Sequence, residues 1–273
     1  MMKKMILFTF AIVSLTLASS VSLADKVMFF TPTRVLLNDQ KKVEVMNITN
    51  LSEITRSYKI SLQDQVMTHQ GVTASVDNFE YSAKRMLRFV PREFTLAPGE
   101  RQTIRIMSRL RPDTQEGEYH THIQFLEDVS QRQKNNPPLN SKSASISAPL
   151  AYETLIPAVI SYGSINTTIG LKDAKISKTS NDSEYKIDLV LTRSGNGQGT
   201  AYVDTHYVAP DGTSTIVAPR RTVYLYREID ERIKDYDFTL ASNLKPGGKI
   251  KLSVYDKPEK GANIVKQTIL NIP

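Results

Sequence analysis

In one short run after another along this chain, apolar residues recur at every second position. Successive side chains of an extended strand point to opposite faces, so such a run buries one face and wets the other. GEYHTHIQFLE places Tyr119, Thr121, Ile123 and Phe125 on one face and His120, His122 and Gln124 on the other. RSYKISLQD brings Tyr58, Ile60 and Leu62 into phase, and MLRFVPREFTL does so with Leu87 and Phe89 before Pro91. KVMFFTPTRVLL is a strand broken by Pro32, which has no amide proton to donate and suits an edge or a bend where the chain changes sheets. KKVEVMNIT follows the Asn38-Asp39 turn, and RQTIRIMS returns antiparallel after Ala97-Pro98-Gly99-Glu100. With the stretch that ends at Ile160, this reading puts seven strands before Ser161, with a tyrosine near the start of the sixth. That is the pattern of an immunoglobulin-like sandwich, here without a Cys-Trp-Cys signature. After Tyr162-Gly163-Ser164 the alternation resumes in YKIDLVLTR, TAYVDTHYVAP, RTVYLYREI, YDFTL and KIKLSVYD, which predicts a second β-domain.

Residues 146–160, ISAPLAYETLIPAVI, stand out because they follow a long polar approach. Ile146, Ala148, Leu150, Tyr152 and Ile156 share one parity, so this reads as one long strand with an apolar face, with Leu155 on the opposite, core-facing side. The approach, EDVSQRQKNNPPLNSKSAS, has a composition that is hard to pack, and the expectation is a segment mobile between residues 129 and 145. A long edge strand with an apolar face invites pairing with another chain. By alternation alone the stretch also fits an ordinary core strand.

Residues 1–24 carry a basic start, MMKKM, an apolar run of about thirteen residues and a Ser22-Leu23-Ala24 small-x-small ending. The run is short for a bilayer span of roughly 20 residues, and the pattern is that of a cleaved secretory signal peptide, with the periplasm as the expected destination. Nothing later is apolar enough to insert the mature chain in a membrane. The expected domains are residues 25–163 and 164–273. With no cysteine, an exported chain must hold both together by packing alone. The net charge of +7 includes Lys3 and Lys4, which leave with the signal. The remaining cations are interspersed with acids and lack the aromatic-interleaved basic pattern of single-strand binders, which sets nucleic acid aside.

LRFVPREFTLAPGERQTIRI resembles the P-x-x-x-x-L-x-P-G-E-x-Q-x-I-R block of the periplasmic chaperones of the chaperone–usher pathway of pilus assembly. Thr33-Arg34-Val35, GEYHTHIQF, the strand ending in Leu155-Ile156-Pro157 and RTVYLYREIDER fall in the same order as that family's blocks, and the last two look more like its archaic or alternative class. The resemblance implies two immunoglobulin-like domains set as a boomerang. The long strand of the first would complete the unfinished sandwich of a pilus (fimbrial) subunit, which is then delivered to an outer-membrane usher. It also implies that basic residues in the interdomain cleft hold the subunit's C-terminal carboxylate. Arg34 matches the cleft arginine, and Ile146, Ala148, Leu150, Tyr152 and Ile156 are the donor-strand candidates. The family's second anchor is a lysine, but the aligned position here is Pro157, which cannot bind a carboxylate. Arg88, Arg105 and Arg111 are nearby candidates, and Arg105 is favoured because it sits on a regular strand. Without the resemblance, Arg34 reads as a solvated arginine and the chain as a secreted β-sandwich subunit or adhesin.

Enzymatic signatures are missing. G-x-S-x-G, H-E-x-x-H and a nucleophilic cysteine do not occur, and SGNGQG lacks nucleotide-loop spacing and reads as a turn or bulge. Glu228, Asp230 and Glu231 pair carboxylates, but no apolar pattern around them would raise a pKa. His120 and His122 share a face but lack the further ligands zinc wants, and are expected to be exposed. No cofactor and no metal is expected.

Overall fold

The computed structural model describes residues 27–135, 150–181, 183–244, 247–259 and 264–273. The expected signal peptide and the donor-strand candidates Ile146 and Ala148 therefore lie outside the described residues. In chain order the elements are β1 (Met28–Thr31), β2 (Val35–Leu37), β3 (Val43–Asn50), β4 (Arg56–Met67), β5 (Thr73–Val76), β6 (Leu87–Val90), β7 (Glu93–Leu96), β8 (Arg101–Ser108), β9 (Gly117–Glu127), α1 (Val129–Asn135) and β10 (Glu153–Tyr162). There follow β11 (Thr167–Lys178), β12 (Glu184–Gly195), β13 (Gly199–Val208), β14 (Ser214–Leu225), β15 (Glu231–Thr239), β16 (Lys249–Tyr255) and β17 (Ile264–Asn271).

Two sheets form from β1 to β10. One has the order β1-β3-β8-β6; the other runs β2-β10-β9-β4-β5, with β7 also paired to β4. Pro32 marks the change of sheet between β1 and β2, as the sequence predicts. Pro91 does the same between β6 and β7, so a stretch that reads as one strand is two in different sheets. These breaks, and the short, largely exposed β5, take the strand number before Ser161 beyond the seven expected. Between the sheets lie Met46, Ile48, Ile104, Ile106, Ile123 and Phe125, with Phe30 packed on Phe125 at 5.0 Å between ring centroids. Each such side chain contributes roughly 1.5–3 kcal/mol by leaving water. Tyr119 Oη donates to the Gln115 carbonyl at 2.9 Å, the corner bond of immunoglobulin-like sandwiches.

The second pair of sheets, β11-β12-β15 and β14-β13-β16-β17, encloses a separate core built on Ile187, Leu189, Leu191, Val203, Leu225 and Leu252. β11 and β17 were invisible to alternation. β11 carries a register shift between Leu171 and Asp173, and β17 is mostly exposed or half-buried. The chain is all-β, two immunoglobulin-like sandwiches in succession.

Two expectations need correction. The first third of the polar approach is not a free loop: residues 129–135 form α1. Asp128 starts it, accepting from the Ser130 hydroxyl at 2.6 Å and backbone amide at 3.2 Å, while Arg132 on α1 donates from Nε to the Glu127 carboxylate at 2.8 Å. The rest of that approach, to residue 149, lies outside the described residues.

The register of β10 also departs from expectation. Ile156, Ala158 and Ile160 are core residues, and Leu155, expected inside, is half-buried on the other face. Ile156, at 5% exposure, is therefore not a surface available to a partner. The apolar parity is right but changes character along its length, buried from Ile156 onward and open at Tyr152 and Leu150, which precede the strand and are 45% and 80% exposed. Ile156→Ala should cost about 2–5 kcal/mol of unfolding free energy in urea titrations, and Leu155→Ala clearly less. The reverse order would restore the alternative register.

Candidate functional site

The two sandwiches meet along the outer face of the β2-β10-β9-β4-β5 sheet, at the end where β9 begins. Glu118 there is a four-way junction. Its carboxylate accepts from the Ser161 hydroxyl of β10 at 2.9 Å and from the backbone amide of Gln198 in the β12–β13 turn. Its amide donates to the Asn196 carbonyl at 2.9 Å, and its carbonyl accepts from Arg227 Nη1 at 3.1 Å. The turn that reaches it is SGNGQG. Gly195 has φ of +102°, and a Cβ there would stand 1.8 Å from the Asn166 carbonyl oxygen. The glycines let the turn lie flat against the first sandwich and present Gln198.

Glu228 is the second junction. Its carboxylate accepts from the Met67 amide at 2.7 Å and from His120 Nε2 at 3.1 Å. Met67 also packs with Tyr226 and Ile229, so apolar contact and charge-assisted bonding act together at this point. Nearby, Ile233 donates its amide to the His69 carbonyl at 2.7 Å.

Arg34, between β1 and β2, faces this junction. Its guanidinium donates to Gln198 Oε1 and lies 4.9 Å from the Tyr224 ring centroid. The half-buried cation thus lies among Gln198, Tyr224 and Tyr226, the last with its hydroxyl pKa raised by burial. Arg105 is not brought here. It is exposed on β8, opposite Val45 and Val90 of its own sheet. Arg88 and Arg111 are likewise exposed, away from Arg34's partners.

His120 and His122 contradict the expectation of exposure, at 7% and 5%. The second sandwich and the segment before β6 cover them: the His120 ring lies 4.7 Å from that of Tyr226 and 4.8 Å from that of Phe79. Each keeps a buried Nδ1 without a hydrogen-bond partner. Burial, then the neighbouring His120 and Arg34, push the His122 pKa down to about 4. Among the described residues no cluster of three or more His, Cys, Asp or Glu side chains could hold a metal ion.

From this cleft β10 runs outward with one side open. β9 pairs it along its whole length, but β2 covers only Ala158, Val159 and Ile160, in parallel. Among the described residues the other edge of 153–157 has no partner. The Glu127 amide donates to the Tyr152 carbonyl at 2.9 Å, so by the alternation of an antiparallel ladder Glu153, Leu155 and Pro157 turn their main-chain groups to the open side. Pro157, with no N–H, fits this position. The entry to the strand is held firmly. Buried Glu127 pairs with Arg56 at 2.7 Å and with Arg132, Arg132 Nη2 holds the Leu150 carbonyl at 2.7 Å, and the Arg56 guanidinium lies 5.0 Å from the Tyr152 ring centroid. The sequence marks neither Gln198 nor Glu118 and shows Glu228 only as one of a group of carboxylates, because no periodicity marks a residue whose partner lies in another domain. The glycines around Gln198 were the one available signal.

His122 gives the cleft a pH dependence. A pKa of about 4, below the ordinary 6.5, means that the unfolded chain takes up the proton before the folded one. Stability is then complete above pH ~6.5 and falls, by about 3 kcal/mol at most, as the pH drops toward 4. Asp128, held down to about 2 by Ser130 and Lys59, acts below that window. Urea titrations between pH 7 and 4.5 should show this loss, and His122→Gln should flatten it. An unchanged slope in the variant would assign the loss elsewhere.

No family model matches the chain, and no curated protein does. Among solved structures it is similar to a chain of a chaperone–tip adhesin complex of CFA/I fimbriae biogenesis, at 14% identity over 89% of this chain and 96% of that one, with a TM-score of 0.44. It is similar to the YadV chaperone, at 14% identity over 89% and 100% of the two chains and a TM-score of 0.43. A chain of the CsuC–CsuE chaperone–tip adhesion subunit pre-assembly complex, from the archaic Csu pili of Acinetobacter baumannii, aligns at 9% identity over 90% and 99%, with a TM-score of 0.43.

Proposed function

We propose that this chain is a non-enzymatic periplasmic chaperone of pilus assembly, which captures β-sandwich subunits by lending them a strand and hands them to an outer-membrane usher. The observation that carries the reading is the half-open β10: an edge without a partner among the described residues over 153–157, continued by exposed Leu150 and Tyr152. Main-chain bonds along such an edge give affinity to any segment added there, and alternate side chains give specificity. A subunit sandwich lacking a strand supplies both needs. Leu150 and Tyr152 would enter its groove, with Ile146 and Ala148 continuing the same parity.

Arg34 is the proposed carboxylate anchor. It stands at the cleft end of the open edge, and its present acceptor, Gln198, is a neutral amide. A carboxylate is the stronger acceptor, since charge-assisted bonds contribute roughly twice as much as neutral ones. Arg105 is not proposed for this role, because it faces solvent on the other sheet. Export of residues 25–273 after loss of residues 1–24 belongs to the same proposal.

Co-expression with a β-sandwich pilus subunit in the periplasm tests this. A soluble one-to-one complex is expected; self-polymerisation of the chain would instead identify a structural subunit. Leu150→Asp and Tyr152→Asp should each weaken capture by a factor of about ten or more, since burying such a side chain is worth roughly 1.5–3 kcal/mol, and should leave the melting temperature of the free chain nearly unchanged. Arg34→Ala should lose subunit at a small stability cost, on the order of 1 kcal/mol for the Gln198 bond. Wild-type levels of subunit with Arg34→Ala would refute the anchor.

A further inference from the structure

A basic groove lies beside the other sheet of the first sandwich. A groove of about 510 Å³ is lined by Lys84, Arg85, Arg88, Arg109, Leu110, Arg111 and Pro112, five cations with no acidic residue among them. Lys84 pairs with Asp64 at 3.6 Å and Arg111 with Asp113 at 3.3 Å. Arg85, Arg88 and Arg109 are exposed and have no ion pair among the described residues. Like charges held around one groove repel each other, and a matching anion removes that repulsion. Four of the five are arginines, whose planar forks bind carboxylates through two parallel bonds.

Beside the groove runs β6, at the end of its sheet and, among the described residues, paired only to β8. The Arg109 amide donates to the Met86 carbonyl at 2.6 Å, so the alternation of the ladder turns the main-chain groups of Leu87 and Phe89 away from β8, while the Leu87 side chain stays in the core. The Leu87 carbonyl is taken by Arg88 Nη1 at 2.7 Å and Leu87 as a whole is 1% exposed, so among the described residues the edge offers a partner the main-chain groups of half-buried Phe89. Arg88 and Val90 share the outward side-chain face, and Val90 is 54% exposed. Cations for carboxylates, an open main-chain edge and an apolar contact together match an extended polypeptide. A lipid headgroup or a nucleic acid would leave the Phe89 main-chain groups and Val90 unused.

We infer that this groove and the β6 edge bind an extended acidic polypeptide segment of a protein partner, at a site separate from the open half of β10. It uses none of the residues of that edge, so the two readings stand or fall separately.

The probe is a fluorescein-labelled peptide of about ten residues alternating Glu and Val, followed by anisotropy with the full mature chain. Saturable binding is expected, weakened by ~0.5 M salt, with a Gln-Val peptide binding at least about tenfold more weakly. Arg88→Glu/Arg109→Glu should reduce affinity by about tenfold or more, while Lys249→Glu/Lys266→Glu, the same charge change on the second sandwich, should leave it within about twofold. If the reversed variant does not fold, Arg88→Gln/Arg109→Gln is measured in its place. Leu150→Asp should bind the peptide like the wild-type chain. Equal losses from both charge-reversed pairs would reduce the effect to net charge and overturn the site. So would failure to bind the Glu-Val peptide, or binding to phosphatidylglycerol vesicles that depends on Arg88 and Arg109 while the peptide does not bind.

Discussion

A carboxylate withdrawn from water must find donors; Glu118 takes one from Gln198 and Glu228 takes two, from Met67 and His120, across the gap between the two sandwiches. Each sandwich is covered by its own core, so neither needs the other for its apolar residues. What joins them is mostly polar and directional: two carboxylates, Arg227 and Arg34, with a small apolar contact of Met67, Tyr226 and Ile229. Directional bonds fix an angle where a greasy contact would allow sliding. The β2–β10 pairing sets Arg34 beside the open edge, and the contacts between the sandwiches bring Gln198 and Tyr224 to it.

The period-two reading recovered the architecture because sandwich strands are half wet by construction. It located the corner tyrosine and the sheet change at Pro32. It misjudged β10, where Leu155, Ile156, Ala158, Val159 and Ile160 put apolar residues on both parities. Both faces are covered there: Ile156, Ala158 and Ile160 by the core, and Val159, at 3% exposure, opposite buried His120. The same contact explains the histidines. His120 and His122 lie on the face that alternation assigns to solvent, and a second domain occupies that solvent.

The site was legible in part. Exposed Leu150 and Tyr152 follow from parity and from the polar approach that precedes them, whereas burial of Ile156 depends on how far the core extends along the strand, which no local pattern encodes. Arg34 carries no local signal of its own and stands out only through the resemblance. Its actual surroundings come from a glycine-rich turn more than 160 residues away in sequence, where Gln198 meets it. Contacts at that separation leave no trace in a window of ten residues. Arg105 fails for the converse reason, since a regular strand says nothing about which sheet faces the cleft.

Pro157 gives the open edge of β10 a length. A strand laid along it can exchange bonds with Glu153 and Leu155, but at Pro157 the carbonyl remains and the donor is gone, and from Ala158 onward β2 already occupies the place. The proline and the short parallel strand act together as a ruler stop. A chain added along this edge toward the cleft would run out of main-chain partners at one residue, beside Arg34.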